Sequence, residues 1–288
     1  MGLLKFFKNI KFLYKNKLSD LNKKYFDLLF EQMLYECNSK NAFYPKILND
    51  NDSVNLLINT QKSIIRYGDG EIAIMGGEGI PIQKYDKNLA DRLKEIIKDE
   101  NEKILIGINY HYYYPAISEY ISEVAKFYRY SISGQRTVLT SLINPDITYG
   151  TTTFTQLYLL YKNYDFNAHY TKLRKIWDNK KITIICGDRV FNDIEYNIFD
   201  NASNVEYMHI PSKNAYSDYD NILANAKKID KDRLLILIAG PTAKPLVYDL
   251  TIHGRRALDL GHIAKDYNAY KRGISIDAKA VKKFFAPD

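Results

Sequence analysis

Residues 63–71 read Ser-Ile-Ile-Arg-Tyr-Gly-Asp-Gly-Glu, a short β-branched run that ends in two carboxylates, Asp69 and Glu71, each beside a glycine, with a guanidinium at Arg66. In an extended segment, side chains two positions apart leave from the same face. Gly68 and Gly70 let the backbone bend and approach a ligand closely. Two hard oxygen donors on such a turn suit Mg²⁺ or Mn²⁺, which needs only one or two protein carboxylates when substrate phosphates complete its shell. The plainer alternative is an Asp-Gly turn with solvated acids.

Other reactive groups stand at similar places along the chain. Gly240-Pro241-Thr242 follows an apolar run and opens a helical pattern, so backbone N–H groups and a positive helix end would face an anion such as a phosphate. Thr242 and Lys244 are placed to assist. Ser212-Lys213-Asn214 offers a cation and an amide, and Asp259-Leu260-Gly261-His262 an acid and an imidazole. Of the five histidines, His262 has the context best suited to acid–base work or to donating to a diphosphate. The chain has no Walker A or G-x-G-x-x-G sequence and no G-x-S-x-G elbow.

These groups need a scaffold, and the hydrophobic pattern supplies one. Strands are predicted at 63–67, 104–108, 137–142, 181–186, 205–210, 234–239 and 257–260, and helices near 88–98, 118–130, 153–161, 170–178, 216–229 and 242–253. Strands alternating with such helices imply an α/β fold, a Rossmann-like, mostly parallel sheet with helices on both faces. Ligands then bind beyond the carboxyl ends of the strands, which singles out the loops at 68–79, 109–114, 187–192, 211–216, 240–242 and 261–267. Residues 1–52 read as an N-terminal helical extension, 53–275 as the main domain and 276–288 as a tail.

Composition narrows the class. The net charge of +7 invites nucleic-acid binding, yet no helix-turn-helix, zinc-finger or RNP pattern accompanies it, and that partner is set aside. Only Cys37 and Cys186 are present, far apart, which argues against a disulfide framework or structural zinc and favours a reducing cytoplasm. Residues 1–18 carry five lysines and no acid, with apolar groups at helical spacing. They read as an amphipathic helix that either lies at the inner face of the cell membrane or packs on the protein.

Taken in order, R-Y-G-D-G-E at 66–71, P-S-K-N-A-Y at 211–216, G-P-T-A-K-P-L-V-Y-D-L at 240–250 and A-L-D-L-G-H at 257–262 form a set that resembles the bacterial GT-D-type glycosyltransferases. The resemblance implies a nucleotide diphosphate sugar, typically a UDP-sugar, as donor. It implies Mn²⁺ or Mg²⁺ held at an Asp-X-Glu motif that falls on Asp69 and Glu71, and a glycan or lipid-linked glycan as acceptor in surface polysaccharide or glycoprotein synthesis. Arg66 and His262 would then meet the phosphates, Lys213, Asn214 and the 240–242 turn the nucleotide, and Asp188 or Asp259 would serve as base. Replacing Asp69 and Glu71 together should abolish transfer and leave the fold intact. The sequence departs from the family pattern at Thr155-Gln156-Leu157-Tyr158, where the family's arginine is absent. A metal-dependent nucleotide-sugar hydrolase and a non-catalytic sugar-nucleotide-binding subunit remain the alternatives.

Overall fold

A computed structural model describes residues 24, 27–32, 43–114 and 116–284. The proposed amphipathic helix at 1–18 lies outside the described residues. No helix among the described residues is long and apolar enough to cross a membrane.

Eight parallel strands form one sheet: β1 (Lys46–Ile47), β2 (Ser63–Tyr67), β3 (Ile104–Ile108), β4 (Thr148–Thr151), β5 (Lys181–Gly187), β6 (Asn204–Ile210), β7 (Leu234–Ile238) and β8 (Ala257–Asp259), in the order β1-β4-β3-β2-β8-β7-β5-β6. The central strands are short apolar runs because both of their faces are covered. Alternate residues divide between the two faces. Ile65, Tyr67, Ile106, Leu235 and Leu237 pack against α2 (Asp69–Met75), α3 (Lys87–Ile96), α4 (Ser122–Thr140), α7 (Tyr219–Lys228) and α8 (Ala243–Ile252). Ile64, Leu105, Ile184, Ile236 and Leu258 face α1 (Asp50–Asn59), α6 (Phe166–Arg174) and α9 (Ile263–Lys271). A third, smaller cluster of Tyr120, Val124, Leu157, Leu160 and Tyr161 joins α4 to the single-turn α5 (Leu157–Leu160), with Val281 of α10 (Ala278–Phe284) packed on it.

Several sequence expectations are corrected. Residues 69–75 form helix α2 rather than an extended turn, with Gly68 as the cap. The β-branched stretch at 137–142 falls largely in the last turns of α4, where burial of Ile132 and Leu139 at helical spacing overrides its strand propensity. Strand β4 takes its place in the sheet. Its sequence, Thr-Tyr-Gly-Thr, carries no apolar run, and Gly150 lies so close to Leu105 that a Cβ there would stand 2.8 Å from Leu105 Cδ2. Helix α9 begins at Ile263, within the stretch 261–267 expected to be a loop, and β1 interrupts the N-terminal helical region.

The strand order fixes where a ligand can enter. Leaving β2, the chain turns into α2 on one face; leaving β8, it turns into α9 on the other. Adjacent parallel strands whose connections diverge in this way leave a crevice at their carboxyl ends.

Candidate active site

A cavity of about 530 Å³ opens at that crevice, lined among others by Arg66, Gly68, Asp69, Gly70, Glu71, Gly240, Pro241, Thr242, Lys244, Asp259 and His262. Three segments separated by up to 193 residues thus meet around one space. The floor is an alternating network of charges. Arg66 donates its backbone N–H to Asp259 Oδ2 (3.1 Å), Nε to the Asp259 carbonyl (2.8 Å) and Nη2 to Asp259 Oδ1 (3.3 Å). Its Nη1 donates to the Thr152 carbonyl (3.2 Å) and Thr155 Oγ1 (2.6 Å). Lys244 Nζ lies 2.8 Å from Glu71 Oε1 and 3.2 Å from Asp259 Oδ2, and donates to the Gly240 carbonyl at 3.1 Å. Two cations and two carboxylates compensate one another under cover, as buried charges must. Burial alone would raise the Asp259 carboxyl, but the Lys244 and Arg66 charges overrule it and hold it below the usual range.

Helix α2 separates the two acids of the Asp-X-Glu motif. Positions i and i+2 on a helix are turned about 200° apart, so they do not share a face. Glu71, at the third helical position, reaches back to accept the Gly68 N–H through Oε2 (2.8 Å) while Oε1 meets Lys244. Asp69, at the first helical position, is exposed to the cavity and has no side-chain partner among the described residues. It is open to the cavity yet ringed by protein. Desolvation, and then the Glu71 charge, therefore raise its carboxyl above the ordinary value.

His262 lines the cavity at the start of α9, its ring 5.4 Å from that of Phe284. Burial, and then the positive charges of Lys265, Arg66 and Lys244, push its imidazole down to about 3, so the ring is neutral at physiological pH and offers one N–H and one lone pair. Thr242 is 1% exposed, lines the cavity, and its Oγ1 has no hydrogen-bond partner among the described residues. Gly261 (φ 47°) and Gly240 (φ 53°) hold the two turns in left-handed conformations. A Cβ at Gly261 would overlap Arg66 Nη2, and one at Gly240 would stand 2.7 Å from Ile82 Cδ1.

The remaining sequence candidates sit apart from this centre. Asp188 is exposed beyond β5 and accepts from Ser212 Oγ at 3.2 Å, outside the cavity lining. Lys213 is exposed and also outside it. Asn214 (φ 52°) fastens the loop after α2: its N–H donates to the Ile82 carbonyl and its Oδ1 accepts from the Lys84 N–H, both at 2.8 Å. Ile80 to Gln83 of that loop line the cavity. The 80–83 segment and Phe127 were not singled out from sequence, because neither stands in a motif; Gln156 was noted only for the arginine it replaces, and Lys265 only as part of the 261–267 loop.

A cavity at the switch point of an all-parallel sheet, walled by charged and small residues, is the layout of an α/β protein that acts on a small ligand or cofactor. Residues 64–287 match the family described as Glycosyltransferase GT-D fold, and the chain belongs to that family of glycosyltransferases. It is similar to a probable glycosyl transferase Gly of Streptococcus gordonii, 31% identical over 242 residues that make up 83% of this chain and 35% of that protein. It is also similar to glycosyltransferase GlyD of Streptococcus pneumoniae serotype 4, 27% identical over 82% of this chain and 29% of that protein. The chain therefore spans about a third of the length of these curated relatives. Among solved structures, one described as a highly conserved domain of unknown function 1792 with a distinct glycosyltransferase fold superimposes with a TM-score of 0.76 at 29% identity, covering 85% of this chain and 86% of the other. A new glycosyltransferase (DUF1792) from Streptococcus sanguinis matches with a TM-score of 0.74 at 28% identity, covering 80% and 86%.

Proposed function

We propose that this protein transfers a sugar from a nucleotide diphosphate sugar, of the UDP type, to a glycan or lipid-linked glycan acceptor in the synthesis of a bacterial surface polysaccharide or glycoprotein, with Mg²⁺ or Mn²⁺ as helper ion. The observation that supports it most is the convergence of segments 66–71, 240–244 and 257–262 on one cavity in a member of the GT-D family.

The residues fit a divalent cation in a restricted way. No group of three or more His, Cys, Asp or Glu that could hold a metal occurs among the described residues. Asp69 has oxygens to give, whereas both oxygens of Glu71 are engaged. This suits an ion of the Mg²⁺ type, which relies on one carboxylate, water and substrate phosphates. Asp69 is thus the protein ligand, and Glu71 supports it by fixing the first turn of α2. When bound, the ion neutralises charge on the leaving diphosphate.

The other roles follow from which groups line the cavity. Thr242 Oγ1 donates to a phosphate oxygen, which gives the buried hydroxyl the partner it lacks. The first turn of α9, where Ala264 and Lys265 line the cavity, turns its positive end toward the same charge. Neutral His262 donates a hydrogen bond there without the cost of burying a second cation. Arg66, Lys244 and Asp259 hold these elements in register and have their charges already matched. The part of the lining where Ile82 lies close over Gly240, beside Pro241, accepts the flat nucleobase.

Calorimetric titration of a panel of nucleotide sugars with and without Mn²⁺, followed by measurement of UDP release with and without acceptor, tests this reading. Metal-dependent binding of a UDP-sugar and acceptor-stimulated release are the expected results; failure of every nucleotide sugar to bind overturns it.

A further inference from the structure

Asp50, the first residue of α1, is a buried carboxylate that stands outside the charge network of the cavity floor. Its Oδ1 accepts from Thr153 Oγ1 (2.5 Å) and its Oδ2 from the Tyr161 hydroxyl (3.1 Å). Neither partner is a cation, and Glu119 adds a like charge. A buried acid held by neutral hydroxyls is costly to ionise, and burial raises this carboxyl to about 6. Asp266 is buried in a comparable way, but its partners Tyr158, Leu159 and Tyr170 do not line the cavity. Thr153 does. The Thr152 carbonyl, bonded to the Thr153 nitrogen, receives Arg66 Nη1, which sets Thr153 beside the charged floor.

The hydroxyls here have fixed roles. Ionised Asp50 only accepts, so the Thr153 proton points to it, and Thr151 Oγ1, 2.8 Å away, donates to Thr153 Oγ1. One lone pair of Thr153 Oγ1 is then left to accept from a ligand. Tyr161, whose oxygen also meets His111 Nε2 at 2.9 Å, holds the other side of the carboxylate. Burial raises Tyr110, Tyr120, Tyr128, Tyr161 and Tyr164 and lowers His111, so these six are neutral at pH 7. On α6, His169 donates to the Phe154 carbonyl and Lys172 to Asn51, and neither hydrogen-bonds Asp50.

We infer that Thr153 and Asp50 form the relay that takes the proton of the attacking hydroxyl, with Thr153 touching the substrate and Asp50 acting through it. The inference rests on the glycosyltransferase reading above and adds the base which that reading lacks. The acceptor oxygen bonds to the anomeric carbon, whose bond to the diphosphate breaks with its electron pair leaving on the diphosphate. The acceptor proton passes to Thr153 Oγ1 as the Thr153 proton passes to Asp50 Oδ1, so Asp50 ends as the neutral acid. Such a direct displacement inverts the anomeric carbon. The other carboxylates and the imidazole of the described lining are committed or too weak. Glu71 and Asp259 meet Lys244 and Arg66, Asp69 is the ligand proposed for the ion, and His262 is pushed down to about 3. A base works best with a pKa near the operating pH, which Asp50 has.

The test uses the full chain with Mn²⁺ and UDP-glucose, UDP-galactose or UDP-N-acetylglucosamine, with water as the attacking hydroxyl. Calorimetry reads donor binding, and UDP release gives kcat and KM as a function of pH. In the unaltered protein kcat should fall as pH drops through about 6, where Asp50 takes a proton. Asp50→Asn and Thr153→Val should each lower kcat about a hundredfold or more and remove that fall, with KM changed less than about twofold. Thr153→Ser, which keeps the hydroxyl, should retain most of kcat. Melting temperatures separate folding from catalysis, and the two Thr153 variants carry the test if Asp50→Asn does not fold. The sugar first released from these α-linked donors should be the β-anomer, read by NMR. Near-parental kcat in Asp50→Asn or Thr153→Val, a Thr153→Ser protein as slow as Thr153→Val, a loss confined to KM, or release of the α-anomer would each overturn the relay. A donor that binds and is never cleaved would overturn it too. These results leave the glycosyltransferase reading standing; if none of the three donors binds, that reading falls and the relay with it.

Discussion

Arg66 on β2 and Asp259 on β8 are joined by three hydrogen bonds across the crevice between their strands, two to the carboxylate and one to the carbonyl. The pair is nearly dry, with side chains 7% and 1% exposed. Removing one member of such a pair strands the other as a buried charge, at a cost of about 3–5 kcal/mol. Arg66→Ala is therefore expected to lower unfolding stability by that order. Arg66→Lys should recover little of it, because an ammonium cannot reproduce the fork that also reaches Thr152 and Thr155. Urea unfolding measures this directly. An Arg66→Ala protein as stable as the parent would mean that the guanidinium serves the ligand rather than the fold.

The two acids of the Asp-X-Glu motif are expected to separate on mutation. Asp69→Asn should remove metal-dependent nucleotide binding and leave the melting temperature nearly unchanged, since Asp69 holds no side-chain partner. Glu71→Gln should cost stability, because it weakens both the Lys244 contact and the reach to the Gly68 N–H. The expectation from sequence that both could be replaced with the fold intact is revised on this point. Paired thermal-shift and calorimetric measurements on the two single variants decide it.

Thr242→Val offers a cleaner probe of the phosphate site. The hydroxyl has no partner to lose, so unfolding stability should not fall. A hydrogen bond to a charged phosphate contributes about 1.5–3 kcal/mol, so nucleotide affinity should fall about tenfold or more. Unchanged affinity would place the phosphates elsewhere.

Gly261→Ala combines a strained φ of 47° with a Cβ that would overlap Arg66 Nη2. The backbone term alone is about 1–2 kcal/mol, and displacement of the guanidinium adds the loss of its Asp259 contacts. Gly254→Ala is the control: its φ is 79°, but a Cβ there meets nothing within 4 Å. The Gly261 variant should melt well below the Gly254 variant in the same thermal scan.

The pH dependence of stability should be a balance of opposed groups. Burial raises Asp266 from 3.8 to about 7 in the folded protein, so its contribution is full below 3.8 and is lost as pH rises through 7. His169 runs the other way. Burial lowers it from 6.5 to about 4, so its contribution is present above 6.5 and is lost as pH falls through 4. Asp266 accepts the backbone N–H groups of Tyr158 and Leu159 and the Tyr170 hydroxyl, so Asp266→Asn will change the level of stability as well. The slope carries the test. Between pH 6.5 and about 4 the Asn variant should lose melting temperature more steeply than the parent, because the opposing Asp266 contribution is gone while those of His169 and of Asp50, which burial raises to about 6, are common to both proteins.

Much of the fold was legible because a parallel sheet buries its strands on both faces, and runs such as Leu234–Ile238 can hardly do anything else. Strand β4 was not legible, because Thr148, Gly150 and Thr151 pack through backbone proximity rather than through large apolar side chains. Of the candidate site residues, Asp69, Thr242 and His262 face the cavity as expected from their loops, while Asp188, Lys213 and Asn214 stand outside it. Asn214 reads as a ligand group in sequence and holds a loop in space, since an amide in a left-handed turn serves either purpose.

By itself the sequence determined the strand–helix alternation, the carboxyl-end loops and the order of the motifs, because periodicity and turn chemistry are local properties. Only the tertiary structure decided which charged groups are available to a ligand. Arg66, Glu71, Lys244 and Asp259 neutralise one another because β8 lies beside β2, and Asp69 is left open because Gly68 starts a helix that turns the two acids apart. Pairing across such distances in sequence depends on strand order, and strand order is set by how all the layers pack together rather than by any one segment.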